Sequence, residues 1–434
     1  MKEQYKITKD QIKAVMLLSL GTFLEYFDLM LYVHMAVLLD DLFFPTTDPL
    51  VKAFIPALSF CSTHLLRPFG ALFFGYLGDL LGRKVVIVMT TMTMACCCIV
   101  LAGLPTYAQI GITAPIVLTL CRMVQGMSAS AEMTGAEIYI AESVRPPAQY
   151  PLVAILSLLS SVGGAAALSI GVLSCSLSNH FQYSWRLGFL LGAAIGIVGA
   201  AARRTLKEAA EFSNRYETFQ KQLKERTGTE LQKVQLETPL ATSIAFFCIQ
   251  CARPPCFYFV YIHCGAILKN SFGFTALEVM SNNFWVNLAQ TSSFVIIVAL
   301  SYVLSPLKII KTKAILFCIF MPFFPFAFKY YHSAQTVFIF QIIGGMFLLS
   351  HAPASPIFFK YFPVFKRFKY VGVISAMAKL ATYVISSFGL AAVTRSLGQN
   401  GIFLILVPVA ISFFWSLRYF EKKEVHGPHV QQNY

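Results

Sequence analysis

Glu25, Asp28, Arg67, Arg122, Glu132, Glu137, Arg253 and Lys379 all fall inside long apolar runs of the sequence. A charge at the centre of a lipid bilayer costs about 2.5–3.5 kcal/mol on the mildest scale, so eight left unpaired would cost about 20–28 kcal/mol. That exceeds the roughly 5–15 kcal/mol of net stability typical of a domain. These groups must therefore pair, neutralise or face a watery cavity, and four acids with four bases can balance in sign. The chemistry open to them is reversible. A carboxyl can load and release a proton, and a guanidinium or ammonium can hold a carboxylate through charge-assisted hydrogen bonds.

Spacing sorts these residues. Glu25 and Asp28 lie i, i+3, so they share one helix face, with Tyr26 between them. At 1.5 Å per residue they sit about 16 and 21 Å from the cytoplasmic end of their run, and Arg67 about 15 Å from the cytoplasmic end of the next. An acid pair facing an arginine near mid-membrane reads as a proton and substrate site, or as a structural ion pair between helices. Arg122 and Glu132 are about 15 Å apart along one axis and do not pair directly. Glu132 and Glu137 point about 140° apart, so at most one faces a cavity squarely. Glu132 is expected there, with Glu137 and Glu142 as partners for loop bases. Arg253 precedes Pro254-Pro255, which must kink or break its helix. Asn283, Asn287 and Gln290 form one face by their i, i+4, i+7 spacing, and either line a cavity or join helices. Lys379, nine residues past Tyr370, is too deep to snorkel easily and is expected to face the cavity. The proton-coupling candidates are thus Asp28, Glu25 and Glu132. The substrate-binding candidates are Arg67, Arg122, Tyr26, Asn287, Gln290 and Lys379.

The elements that must position them are membrane helices. The 434 residues are 57% hydrophobic and only 12% charged, against about 25% charged in soluble domains. A spanning helix needs about 20 apolar residues. On that rule twelve runs qualify: 14–39, 53–77, 84–104, 114–139, 150–175, 185–202, 240–268, 279–304, 312–330, 335–357, 370–393 and 400–418. Counting the 34 Lys and Arg by loop places 25 on the face shared by both termini and 5 on the other, which sets both termini in the cytoplasm. The net charge of +14 therefore reports orientation and not nucleic-acid binding. No cleavable signal is expected, because the first apolar run is too long for one. Residues 203–239 are the long polar stretch, read as a tether or surface-lying helix between domains 1–202 and 240–434. The small-residue series Gly188, Gly192, Gly196 reads as a helix contact. Most cysteines, including the Cys248-x-x-Cys251 pair, lie in apolar runs and read as packing. No GxxxxGK[ST] loop stands in the chain, so nucleotide hydrolysis has no support.

Between the second and third runs stands Gly75-Tyr76-Leu77-Gly78-Asp79-Leu80-Leu81-Gly82-Arg83-Lys84. Asp79 and Arg83 are four apart and can pair across one turn, and the three glycines let backbones approach closely. This loop resembles the one between the second and third helices of the major facilitator superfamily. Gly21 to Asp28, Arg67-Pro68-Phe69-Gly70, Arg122 to Glu132, Trp185-Arg186 and Arg203 to Glu208 narrow the resemblance to its metabolite:proton symporters. The resemblance covers the first half in order and thins after residue 240. It implies an all-α membrane protein whose twelve transmembrane helices form two six-helix bundles that rock about a central site. It also implies proton-driven uptake of solutes such as proline, betaine, 2-oxoglutarate, citrate or shikimate. By position, Gly75, Gly78, Asp79, Gly82, Arg83 and Lys84 become the cytoplasmic gate. The chain departs from the family at Ser130-Ala131, where paired glycines are usual, at Tyr302, where the second copy of the loop should hold an acid, and at Lys360 and Lys379.

The expectation is therefore a monomeric transporter in a bacterial inner membrane, with lipid, a small-molecule substrate and a proton as its partners. It is not an enzyme, needs no cofactor or metal beyond the proton gradient, and imports a small carboxylate-bearing solute. Proline or betaine comes first and a dicarboxylate second. A non-transporting membrane sensor on the same fold is the rival from another class.

Overall fold

The computed structural model describes residues 8–44, 63–177, 183–207, 240–389, 393 and 396–426. The proposed tether falls outside them beyond residue 207. Twelve helical segments stand where the sequence places spans. The first six are α1 Lys9–Phe43, α2 Arg67–Leu80, α3 Arg83–Gly103, α4 Thr113–Ser143, α5 Gln149–Leu177 and α6 Arg186–Arg203. The second six are α7 Leu240–Phe272, α8 Ala276–Leu300, α9 Pro306–Tyr331, α10 Ala334–Met346, α11 Val364–Ser387 and α12 Phe403–His426. Among the described residues no strand occurs. Nine of the twelve are long and apolar enough to cross a membrane unaided. Of the others, α2 has 14 residues, α4 carries Arg122, Glu132, Glu137 and Glu142, and α10 has 13 residues.

Local sequence explains the ends and breaks. Before α1, Thr8 Oγ1 accepts from the Gln11 amide at 3.2 Å while Gln11 Oε1 accepts from the Thr8 amide at 3.0 Å, a reciprocal cap. Thr275 and Glu278 repeat the device at α8. The turn from α2 to α3 passes through Gly82 at φ 99°, ψ 162°, a conformation essentially reserved for glycine. In α7, Pro254 and Pro255 remove two amide donors, and the helix breaks between Cys251 and Arg253. A π-helical turn follows over Tyr258–His263 before regular helix resumes at Cys264.

The helices form two six-helix bundles. In the first, α1 packs along α5, and α3 along α6 and α4. The glycine series of α6 makes its close approach here: Gly188 lies against Leu31, Gly192 near Phe27 and Cys98, and Gly196 against Ala95 and Leu24. In the second, Phe246 fits among Phe358, Phe359 and Phe362, with ring centroids 5.4–6.5 Å apart. Two helix pairs join the bundles, α2 along α11 and α5 along α8. The charged side chains meet between these seams and within the first bundle.

Candidate functional site

A cavity of about 30 Å³ lies between the bundles. Its walls are Glu25 and Tyr26 of α1, Arg67 of α2, Gln250 and Arg253 at the α7 break, His351 after α10, and Lys379 and Tyr383 of α11. The break in α7 positions Arg253, whose guanidinium sits over the Tyr26 ring at 5.3 Å and so bridges the bundles. Glu25 is 4% and Arg67 5% exposed, yet Glu25 Oε2 and Arg67 Nε and Nη2 have no hydrogen-bond partner. Buried polar atoms without partners are costly. The volume suits about two waters. The space is too small for a larger solute unless the walls separate. A smaller pocket of about 10 Å³ adjoins it, lined by Glu137 and Thr134 of α4 and by Ser375 of α11. The two share Gln250, His351 and Lys379.

Of the residues expected at the site, the structure brings Glu25, Tyr26, Arg67 and Lys379 together. It sends Asp28 elsewhere: Arg122 Nη1 donates to Asp28 Oδ2 at 2.9 Å and Gln125 Nε2 to Asp28 Oδ1 at 2.8 Å. The Arg122 guanidinium also lies over Tyr32 at 4.2 Å. A step of three residues turns a helix by about 300°, leaving a 60° offset that aims Glu25 at the cavity and Asp28 at α4. The expected acid pair facing Arg67 is thus divided between two sites, and Arg122 is not in the cavity wall.

Glu132 is also placed outside the cavity. It pairs with Arg203, and Thr90 Oγ1 donates to its Oε2 at 2.6 Å. Arg203 Nε and Nη2 donate to the carbonyls of Leu17 and Leu18 at 2.8 and 2.7 Å, so one buried group ties α1, α3, α4 and α6. The cause is the position of Arg203 at the end of α6, from which its side chain reaches back into the bundle. Glu137, expected to meet loop bases, instead faces inward, with His351 Nε2 3.4 Å from its Oε1. The two glutamates do meet different partners, but their assignment to inside and outside is exchanged. Glu142 does meet loop bases. Asn287 and Gln290 are buried in the α8 face away from the cavity walls. Tyr261 Oη donates to Gln290 Oε1 at 2.7 Å, Asn287 sits beside Gly164 of α5, and Thr291 and Ser161 oxygens lie 2.8 Å apart. This polar face joins helices.

At the loop between α2 and α3, Arg83 is fully buried. It donates to Gly78 O at 2.6 Å, Asp79 Oδ1 at 3.1 Å, Glu142 Oε2 at 3.1 Å and Val364 O at 2.9 Å. Arg367 Nη1 donates to Glu142 Oε1 at 3.0 Å, and Asp79 Oδ2 accepts from the Lys369 amide at 3.0 Å. Gly75 and Gly78 rest against Lys369 and Phe368, Gly82 makes the turn, and Lys84 stands half-buried beside it. Four ionic groups thus fasten the first bundle to α11 at this end. In the equivalent turn after α8, Tyr302 is 60% exposed.

Comparison with known proteins agrees with this architecture. A family model described as Major Facilitator Superfamily matches residues 18–321. A proline/betaine transporter of Salmonella typhimurium is 36% identical over 203 residues, covering 46% of this chain and 41% of that protein. A glycine betaine/proline/ectoine/pipecolic acid transporter of Dickeya dadantii is 33% identical over 211 residues, 48% of this chain and 42% of that protein. The match spans less than half the length of these relatives. Among solved structures, a proton:xylose symporter aligns with a TM-score of 0.76 at 12% identity, covering 95% of each chain. A human organic anion transporter aligns at 0.66 and 14% identity, over 95% of this chain and all of that one.

Proposed function

This chain belongs to the major facilitator superfamily, and on that premise we propose that it is a proton-coupled symporter for a small carboxylate-bearing solute, with proline or betaine as the first candidates. The observation that carries the reading is the wall between the bundles, where Arg67 and Glu25 hold partnerless donors and acceptor in one buried cavity. A zwitterion satisfies both at once: Arg67 donates to its carboxylate, and Glu25 opposes its ammonium group. Tyr26 and Tyr383 line the same cavity beside them. The names of the relatives in Salmonella and Dickeya support the same solute class.

Alternating access follows from the location of the site. Residues 1–202 and 240–434 move as two bodies tethered by 203–239, and the cavity opens to one side at a time. By its Lys and Arg distribution the Asp79–Arg83 end faces the cytoplasm of a bacterial cell, in its inner membrane. The fastened end then describes a form closed to the cytoplasm. A dicarboxylate is the second reading, favoured by one specific feature: Arg67, Arg253 and Lys379 against Glu25 leave the cavity wall rich in cations.

The test is uptake of labelled proline, betaine and 2-oxoglutarate into liposomes holding the purified protein, with and without an inward proton gradient. Gradient-driven uptake of proline or betaine, cut at least tenfold by Arg67→Gln, is the expected result. Uptake of 2-oxoglutarate alone would move the assignment to dicarboxylates. Uptake that ignores the gradient would sink the proton coupling.

A further inference from the structure

Glu137 and His351 belong to no motif quoted above, yet they meet at the boundary between the bundles. Glu137 comes from α4 and His351 from the chain after α10, and both are buried, at 3% and 6% exposure. Their facing atoms are 3.4 Å apart. The pocket they line has room for about one water and shares Gln250, His351 and Lys379 with the solute cavity. Four properties coincide here: a basic and an acidic titratable group, contact across the moving boundary, burial, and a wall in common with the solute.

Resting on the symporter reading above, we propose that the Glu137–His351 pair is the site that carries the transported proton. When the pair holds one shared proton it is an imidazolium facing a carboxylate, and their attraction draws α4 toward the second bundle. Losing that proton leaves a carboxylate facing a neutral imidazole, and the attraction is gone. On loading, an N–H bond forms at His351 as an O–H bond of a hydronium ion on the entry side breaks. On release that N–H bond breaks and an O–H bond forms on water at the far side. The charged neighbours fit this cycle. Lys379 of α11 faces the pocket directly, and Glu25 of α1, Arg67 of α2 and Arg253 of α7 line the adjoining cavity. A solute carboxylate arriving at Arg67 adds negative charge beside these bases, which favours loading of the proton next door. Coupling is thereby electrostatic and local. Asp28 and Glu132, each engaged by an arginine inside the first bundle, stay out of it.

The test uses the full chain in liposomes with a pH-sensitive dye trapped inside, and reads two quantities. The first is proton entry per proline or betaine taken up; the second is gradient-free exchange of labelled for unlabelled solute. In Glu137→Gln, proton entry per solute is expected to fall at least tenfold while exchange remains measurable and loses its pH dependence. His351→Gln is expected to lose proton entry likewise. Undiminished proton entry in both variants overturns the proposal. So does loss of exchange and proton entry together in Glu137→Gln protein that unfolds at the wild-type temperature, because Glu137 then belongs to the solute site. A wild-type chain that exchanges solute but moves no proton sinks the proton coupling of the symporter reading itself, and is told apart from those outcomes by needing no variant.

Discussion

Arg203 and Glu132 offer the sharpest test of which buried charges are structural. Arg203→Met removes the cation and leaves Glu132 buried at 1% exposure with the Thr90 and Thr91 hydroxyls as its remaining donors. Breaking a buried ion pair from one side costs about 3–5 kcal/mol, most of it the burden of the charge left behind. At about 2 °C per kcal/mol for a large domain, thermal unfolding of the detergent-purified protein should fall by roughly 6–10 °C. Glu132→Gln alone should cost a similar amount, because it strands the Arg203 guanidinium between α1 and α6. The double variant Glu132→Gln, Arg203→Met removes both charges, and replacing a whole buried pair is often neutral. It should recover most of the lost stability, giving an interaction energy well above the roughly 0.3–0.5 kcal/mol scatter of independent sites. It should also still take up solute with the proton gradient. Unfolding temperatures that add simply across the three variants would refute the pairing. A double variant that folds but has lost gradient dependence would return Glu132 to the proton path.

Two further expectations concern the fastened end and the seam beside it. A Cβ built at Gly372 of α11 lies 3.6 Å from Ala71 Cβ of α2, within the roughly 3.5–4.5 Å a disulfide needs. Oxidised Ala71→Cys, Gly372→Cys protein should therefore stop transporting and recover on reduction, while oxidised wild type is unaffected. Transport that continues with the cross-link complete would mean α2 and α11 need not part. Gly82→Ala forces a Cβ into φ 99°, ψ 162° and should cost about 1–3 kcal/mol, read as a lower unfolding temperature. An unchanged temperature would mean that the turn relaxes freely.

The fastened end was legible because its information is local. Asp79 and Arg83 four residues apart, with glycines where backbones must approach, describe a turn without reference to anything distant. The sequence could not supply the far side of that contact: Val364 O and Arg367 come from about 280 residues along the chain. The α7 break was equally local, since two consecutive prolines leave a helix no amides to donate. The glycine series of α6 announced a close contact, although the partners Leu31 and Ala95 became apparent only with both helices in place.

The charges inside the spans were legible as a set and not as pairs. Axial depth can be computed from a rise per residue, and it set Glu25 and Arg67 at similar levels with Asp28 about 5 Å deeper, but depth says nothing of azimuth. Asp28 differs from Glu25 by 60° of helix rotation, enough to exchange Arg67 for Arg122 as its neighbour. For Glu132 and Glu137 the angle between them was computable and their absolute direction was not, because that depends on how α4 rolls against α1 and α3. Arg203 decides the matter. It looks like a loop base by position, yet its side chain turns inward and claims Glu132, which leaves Glu137 as the glutamate of α4 that faces the second bundle. A single long side chain at a helix end thus selects which acid is available to the cavity, and with it where a proton can be carried.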